Sequence, residues 1–309
     1  MRREQVDGML AEWDWRFNAR QTRRVRTRSI TGLNARSGAS VREHLQRIVR
    51  RTPQVMVKIS GGGRGMGRIR AHLDYISRNG KLSLEDQDGE RHLGREDLSW
   101  LGYSWQSGGV PITEVSTRRE ALNIVLSMPA GTDAQALKRA ARDFAVTEFA
   151  GHQYVMALHT PESDPSHSAS AQPHVHLCVK MAGDDGRRLN PRKQDLQRWR
   201  EGFAQRLREQ GIDAAASRRL ERFQSRRAQT QSLRHMHARG DALAVLSNPA
   251  HADQVERARQ WEQLMLDRYG AVATMLARSD QREDRDLARD LENLRERSRA
   301  VDRAREKSR

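Results

Sequence analysis

The segment PHVHLCVK, residues 173–180, decides how this chain is read, because two histidines one residue apart on a strand point the same way. Strand side chains alternate between faces, so His174 and His176 come to one point, with Cys178 and Lys180 further along that face. The alternate positions Val175, Leu177 and Val179 are apolar and predict a strand with one buried face. The preceding apolar run, Tyr154-Val155-Met156-Ala157-Leu158, ends in His159. Antiparallel pairing of the two runs would set a third imidazole beside the pair, and three convergent neutral imidazoles suit a divalent metal. Histidines packed in a core or at its rim share this spacing, so the motif by itself leaves both readings open.

At 309 residues the chain is long enough for one large domain or two modest ones. Its single cysteine, Cys178, excludes an internal disulfide framework and reads as a small strand residue. With no signal-peptide core and no apolar run long enough to insert in a membrane, a soluble protein of a reducing cytoplasm is expected. The net charge of +16 is unevenly spread: residues 1–52 carry +8, 53–186 carry −2, 187–239 carry +10, and 240–309 carry none. Two basic flanks dominated by arginine suit a polyanion held through its phosphates, and no lysine-rich amphipathic membrane anchor is visible. Arg64, Arg68, Arg78 and Lys81, with Arg187, Arg188, Arg192 and Lys193, are the expected DNA contacts.

The expected organisation has three parts: a basic arm over 1–52, a central domain over 53–215, and an Arg-rich linker with helical extension over 216–309. A short helix is expected at 41–51 and a strand in QVMVKIS, residues 54–60. The glycine run 61–67 then leads into a helix over 68–79. It lacks the Gly-Lys-Ser/Thr ending of a Walker loop and fits no dinucleotide fingerprint, so a sharp strand-to-helix turn is the simpler reading. A short strand at 81–85, a turn at 86–89 and a helix near 95–106 follow. Next come a strand at 121–127 and a helix capped by Thr132 or Asp133 that runs to about Phe149. The histidine strands are joined by the polar loop 161–172, longer than an ordinary hairpin connection. The stretch 192–210 places Leu196, Trp199, Phe203 and Leu207 at helical spacing. Residues 252–309 read as long helices of mixed charge.

Of four tyrosines, Tyr154 and Tyr269 fit packing roles, and Tyr103 joins Trp100 and Trp105 in a cluster expected in the core. Tyr75 differs. It falls beside the buried stripe of Ile69, Leu73 and Ile76, among His72, Arg78 and Asn79, just before the Asn79-Gly80 break. A surface tyrosine is the plain reading; joined to a metal site and basic flanks, a reachable phenol suits nucleophilic attack on phosphate.

These residues carry a resemblance. VMVKISGGG, residues 55–63, followed by LDYISRNGKL, residues 73–82, resembles the N-terminal motif of P-type mobilisation relaxases, the group that includes the border endonucleases of T-DNA transfer. SMPAGT, residues 127–132, resembles the family's strand-to-helix passage, and His159 with PHVH, residues 173–176, resembles its three-histidine motif. The likeness covers roughly residues 54–215. It implies an α+β fold of the HUH endonuclease type, a central antiparallel sheet flanked by helices, here with a basic N-terminal arm and a helical C-terminal extension. It also implies Tyr75 as nucleophile and His159, His174 and His176 as ligands of one Mg²⁺ or Mn²⁺. The implied activity is strand-specific DNA nicking and transfer at an origin of transfer through a 5′-phosphotyrosyl link. The implied partners are single-stranded DNA, relaxosome accessory proteins, and a type IV coupling protein and secretion channel. Two departures stand out. Pro161 occupies a usually acidic position, leaving Glu162 or Asp164 to orient an imidazole, and Lys180 stands where asparagine is common. A rolling-circle replication initiator of the same chemistry, a non-catalytic accessory DNA-binding protein and a water-activated metal hydrolase are the rival readings.

Overall fold

The computed structural model describes residues 1–22, 36–163, 172–224 and 252–307, which divide into two compact units, Thr52–Ala216 and Met1–Arg51 with Ser217–Arg309. The chain begins with α1 (Arg3–Thr22) and α2 (Gly38–Val49). The larger unit then runs β1 (Met56–Gly61), α3 (Met66–Ile76), β2 (Leu84–Asp86), β3 (Arg91–His92), α4 (Gly94–Ser107), β4 (Ala121–Ser127), α5 (Ala134–Glu148), β5 (Tyr154–His159), β6 (His174–Lys180) and α6 (Lys193–Glu209). Two long helices follow, α7 (Ala252–Leu276) and α8 (Arg282–Lys307). None of the described helices is long and apolar enough to cross a membrane.

The six strands form one sheet in the order β1-β4-β6-β5-β2-β3, antiparallel at every pairing, and the fold is α+β as expected. The sequence suggested one buried face for the histidine strand; the structure buries both. Val175, Leu177 and Val179 enter a large core with Phe144 of α5 and with Trp199, Phe203 and Leu207 of α6. On the other face Cys178 joins Ile69, Leu73 and Ile76 of α3 and Leu98, Leu101 and Trp105 of α4. Burying a large apolar side chain stabilises by about 1.5–3 kcal/mol, so helices pressed on both faces pin the strand's register. Asp133 caps α5, accepting from the amides of Gln135 and Ala136.

Several expectations are corrected. The strand expected at 81–85 is shorter and later, since the chain from Ser77 to Lys81 is spent in turns. Trp105 is buried, but Trp100 and Tyr103 are 66% and 58% exposed. On α4 the inward stripe is Leu98, Leu101 and Trp105, and residues 100 and 103 fall outside it. The glycine loop, by contrast, is the sharp strand-to-helix turn expected, with the amides of Gly63, Met66 and Gly67 donating to the carbonyls of Ala121, Thr113 and Glu114. A Cβ on Gly62 would meet the Ala121 carbonyl at 2.3 Å, and Gly65 has φ +89°.

The described part of the N-terminal arm is also folded. Val6 and Leu10 of α1 and Val41, Leu45 and Ile48 of α2 share a core with Tyr269 and Leu276 of α7 and Leu287 and Leu291 of α8. Arg42 is buried there between Asp7, at 2.7 Å, and Asp284, at 2.6 Å. The described parts of residues 1–51 and 217–309 thus make one helical unit; of the arginines that the sequence strings from Arg16 to Arg28, those from 23 onward lie outside the described residues.

Two buried charges tie helices to the sheet of the larger unit. Lys180, 2% exposed, donates from Nζ to the carbonyls of Trp105 (3.1 Å) and Gly108 (2.6 Å) and to Oε1 of Gln153 (3.0 Å). It fastens the end of α4 to β6 and lies at the opposite end of the strand from the histidines. Glu85 of β2, also 2% exposed, accepts from Arg142, with Nη2 at 2.8 Å, and from Lys138, at 2.9 Å, both on α5. Burial pushes the Glu85 carboxyl up, and the hydrogen bonds from Arg142 and Lys138 outweigh it, holding the group below its usual range. Because the folded state holds the lower pKa, this contribution is present above the ordinary carboxylate range and is lost as pH falls through the folded value. Glu85→Gln is expected to cost about 1–3 kcal/mol of stability at neutral pH. In urea melts the gap from wild type should narrow below about pH 4.

Candidate active site

The register of β5 against β6 sets His159 opposite His174 and Ala157 opposite His176. The three imidazoles converge, with ring centroids 5.3 Å apart for His159 and His174, 4.6 Å for His159 and His176, and 5.0 Å for His174 and His176. One nitrogen from each lies within 4.8 Å of the others. His159 is fully buried, His176 is 8% exposed, and His174 is half-buried at the strand's start. Burial, then the neighbouring His159 and His174, lower the pKa of His176 to about 3. A neutral imidazole is a ligand in waiting, and Nδ1 of His176 is buried with no hydrogen-bond partner among the described residues. This donor set fits a divalent metal, provided the three nitrogens draw slightly closer.

Main-chain carbonyls orient two of the rings. His159 Nε2 donates to Ile76 O at 2.7 Å, and His174 Nδ1 donates to Gln172 O at 3.0 Å. Two carboxylates were expected in this role. Glu162 sits exposed in a short 3₁₀ turn, Pro161–Ser163, and a hydrogen bond from Thr160 holds its carboxyl low. Asp164 lies outside the described residues. Among the described residues, the groups that orient His159 and His174 are the Ile76 and Gln172 carbonyls.

Tyr75 reaches the triad from the last turn of α3. Its ring stands edge-on to His176, with centroids 5.7 Å apart and planes at 88°, while 55% of the side chain stays exposed. Helical spacing accounts for this: Ile69, Leu73 and Ile76 dock on the sheet, and the adjoining stripe brings His72 and Tyr75 over the histidines. His72 lies offset from the Tyr75 ring at 6.1 Å and 6.3 Å from His176. Burial lowers its pKa to about 4, and its Nε2 has no partner among the described residues. The sequence identified His72 only as a neighbour of Tyr75; a histidine three residues before it, on the same helix face, was the available signal.

The expected DNA contacts divide by environment. Arg64, Arg68, Lys81, Arg187, Arg192 and Lys193 are exposed. Arg188 is engaged with Glu120 at 2.9 Å and with the Arg119 carbonyl, bracing the start of β4. Arg78 belongs to the site itself. Its guanidinium carbon lies 5.5 Å from the Tyr75 ring centroid and its Nη2 lies 3.3 Å from His159 Nδ1.

Residues 111–212 match the family described as relaxase, MobA/VirD2-like, nuclease domain. That stretch contains all three histidines and does not reach Tyr75. The T-DNA border endonuclease VirD2 of Rhizobium radiobacter is 31% identical over 143 residues, covering 41% of this chain and 31% of that protein. VirD2 of Agrobacterium fabrum (strain C58 / ATCC 33970) is 29% identical over 191 residues, covering 55% of this chain and 40% of that one. The chain therefore spans between about a third and two-fifths of the curated relatives it matches. A solved structure described as "Molecular Basis of Vancomycin Resistance Transfer in Staphylococcus aureus" aligns with a TM-score of 0.33 at 14% identity, covering 54% of this chain and 98% of that one. Residues 111–212, which hold the three histidines of the sheet, thus resemble the nuclease domain of MobA/VirD2-like relaxases.

Proposed function

We propose that this protein nicks one DNA strand by attack of Tyr75 on a phosphodiester beside the histidine triad. The observation that carries the reading is the placement of an exposed phenol edge-on to His176. The match of residues 111–212 to the relaxase nuclease domain supports DNA as the substrate, and the exposed arginines support a grip on its backbone.

In the proposed step the Tyr75 Oη forms a bond to phosphorus as the phenol loses its proton. The bond from phosphorus to the 3′-oxygen breaks, and that oxygen leaves as a 3′-hydroxyl after gaining a proton. The product is a 5′-phosphotyrosyl link that conserves the ester, so the reverse attack rejoins a strand. Arg78 stands beside the phenol with a guanidinium suited to a phosphate oxygen. His159, His174 and His176 would hold one divalent ion, which when bound supplies positive charge to a non-bridging phosphate oxygen. Three imidazole nitrogens suit Mn²⁺ better than Mg²⁺, which prefers oxygen ligands. Start of strand transfer at an origin, with accessory proteins, a coupling protein and a type IV secretion channel as partners, extends the same reading.

The test is incubation with Mn²⁺ and single-stranded DNA spanning a candidate origin, followed by a denaturing gel. A protein–DNA band should form with wild type and vanish with Tyr75→Phe. Cleavage without an adduct would indicate water as nucleophile, and an undiminished adduct in Tyr75→Phe would place the nucleophile elsewhere. His176→Ala is expected to abolish nicking while retaining strand binding within about threefold, since phosphate contacts dominate affinity. Neutralising about five phosphates predicts a fall in single-strand affinity on the order of a hundredfold between about 50 and 200 mM salt. Affinity insensitive to salt would contradict the basic grip.

A further inference from the structure

One of the three histidines is covered by a cation of the protein's own. The Ile76 carbonyl can only accept, so the proton on His159 resides at Nε2, 2.7 Å from that oxygen. A guanidinium can only donate, so Arg78 Nη2, at 3.3 Å, takes the lone pair on Nδ1. Both ring nitrogens of His159 are therefore engaged by protein groups. His174 differs, because its bond to Gln172 uses the N–H of Nδ1 and leaves the lone pair on Nε2.

The backbone puts Arg78 there at some strain. Arg78 and Asn79 have φ of +54° and +56°, followed by Gly80 at +81°. Successive non-glycine residues in the left-handed region are disfavoured and persist where the surroundings impose them. Here the imposing contacts belong to Ser77, whose Oγ accepts from Gly80 N at 3.1 Å and whose carbonyl accepts from Leu82 N at 2.7 Å. The turn folds the Arg78 side chain back across Tyr75 and onto His159, rather than out to solvent.

We propose that Arg78 is a positioning residue that occupies the metal-facing lone pair of His159 until a DNA phosphate draws its guanidinium away, so that metal and DNA load together. The proposal rests on the reading of the triad as a metal site. A guanidinium and a divalent ion exclude each other at one lone pair, and a phosphate satisfies the guanidinium better than a neutral imidazole does. Metal and DNA then favour each other's binding by a common factor, as linkage requires. Tyr75 benefits from the same exchange, because the released guanidinium would sit on the phosphate the phenol attacks.

The test measures Mn²⁺ affinity by calorimetry or paramagnetic resonance in a Tyr75→Phe background, which keeps the ring under Arg78 and removes the hydroxyl. Adding Arg78→Met is expected to tighten Mn²⁺ binding roughly tenfold without DNA, the scale of one charge-assisted hydrogen bond. A single-stranded oligonucleotide should tighten binding by a similar factor in the parent and much less in the Arg78→Met protein. Arg78→Gly, which suits the left-handed backbone, should behave alike and guards against misfolding of the first variant. The ¹⁵N resonance of His159 Nδ1 should report an accepted hydrogen bond in the metal-free parent that is lost in both variants. Mn²⁺ bound by the parent and lost in His176→Ala, with affinity unchanged by either Arg78 substitution, would overturn the role of Arg78 and leave the metal site standing. Absence of Mn²⁺ binding in every protein, with and without DNA, would overturn the metal site and this proposal together.

Discussion

The cross-strand pairing of His159 with His174 is the constraint on which the site depends. It brings together residues fifteen positions apart in the chain, and it does so only in this register. A slip of one residue would turn every side chain of β6 to the opposite face, burying His174 and His176 against Phe144 and Phe203 and exposing Val175 and Leu177 to the site. That slip is prevented by position as well as pattern. The strand lies between β4 and β5 with helices packed on both faces, so each register error would forfeit apolar burial on two sides at once.

Burial then sets the chemistry. The same helix α3 that seals one face of the sheet supplies Ile76 O to orient His159 and Tyr75 to approach His176. Desolvation keeps His176 and His72 uncharged, suiting them to coordinate or to stand beside a cation rather than to carry charge themselves. Tyr75, on the same helix, remains half exposed. Buried, uncharged His176 and His72 beneath an accessible phenol, with the Arg78 guanidinium beside it, suit a large anionic substrate that arrives from solvent.

Much of this was legible in the sequence because local periodicity and burial agree. The 121–127 strand, a helix cap at Thr132 or Asp133 and the stripe of Trp199, Phe203 and Leu207 follow from period and capping chemistry alone; the structure has the strand and stripe at those positions and makes Asp133 the cap. The two histidine strands were legible because alternation fixes which side chains share a face. Trp100 and Tyr103 were misread because aromatic composition suggested a core, while the helical phase of Leu98, Leu101 and Trp105 turns them outward. The helical unit formed by the two chain ends was missed because nothing in a charge count reveals that Arg42 is matched by Asp284, 242 residues away. The coverage of His159 by Arg78 depends on three successive left-handed residues, of which only Gly80 announces itself in sequence.

The most direct test of the central claim is to locate the nucleotide on the protein. Wild type incubated with Mn²⁺ and an origin strand, digested with trypsin and nuclease, should yield a mass-shifted peptide over residues 71–78, whose single tyrosine is Tyr75. Fragmentation should place the nucleotide on that phenol. A nucleotide on any other residue, or an unmodified 71–78 peptide from protein that has cleaved its DNA, would contradict the account.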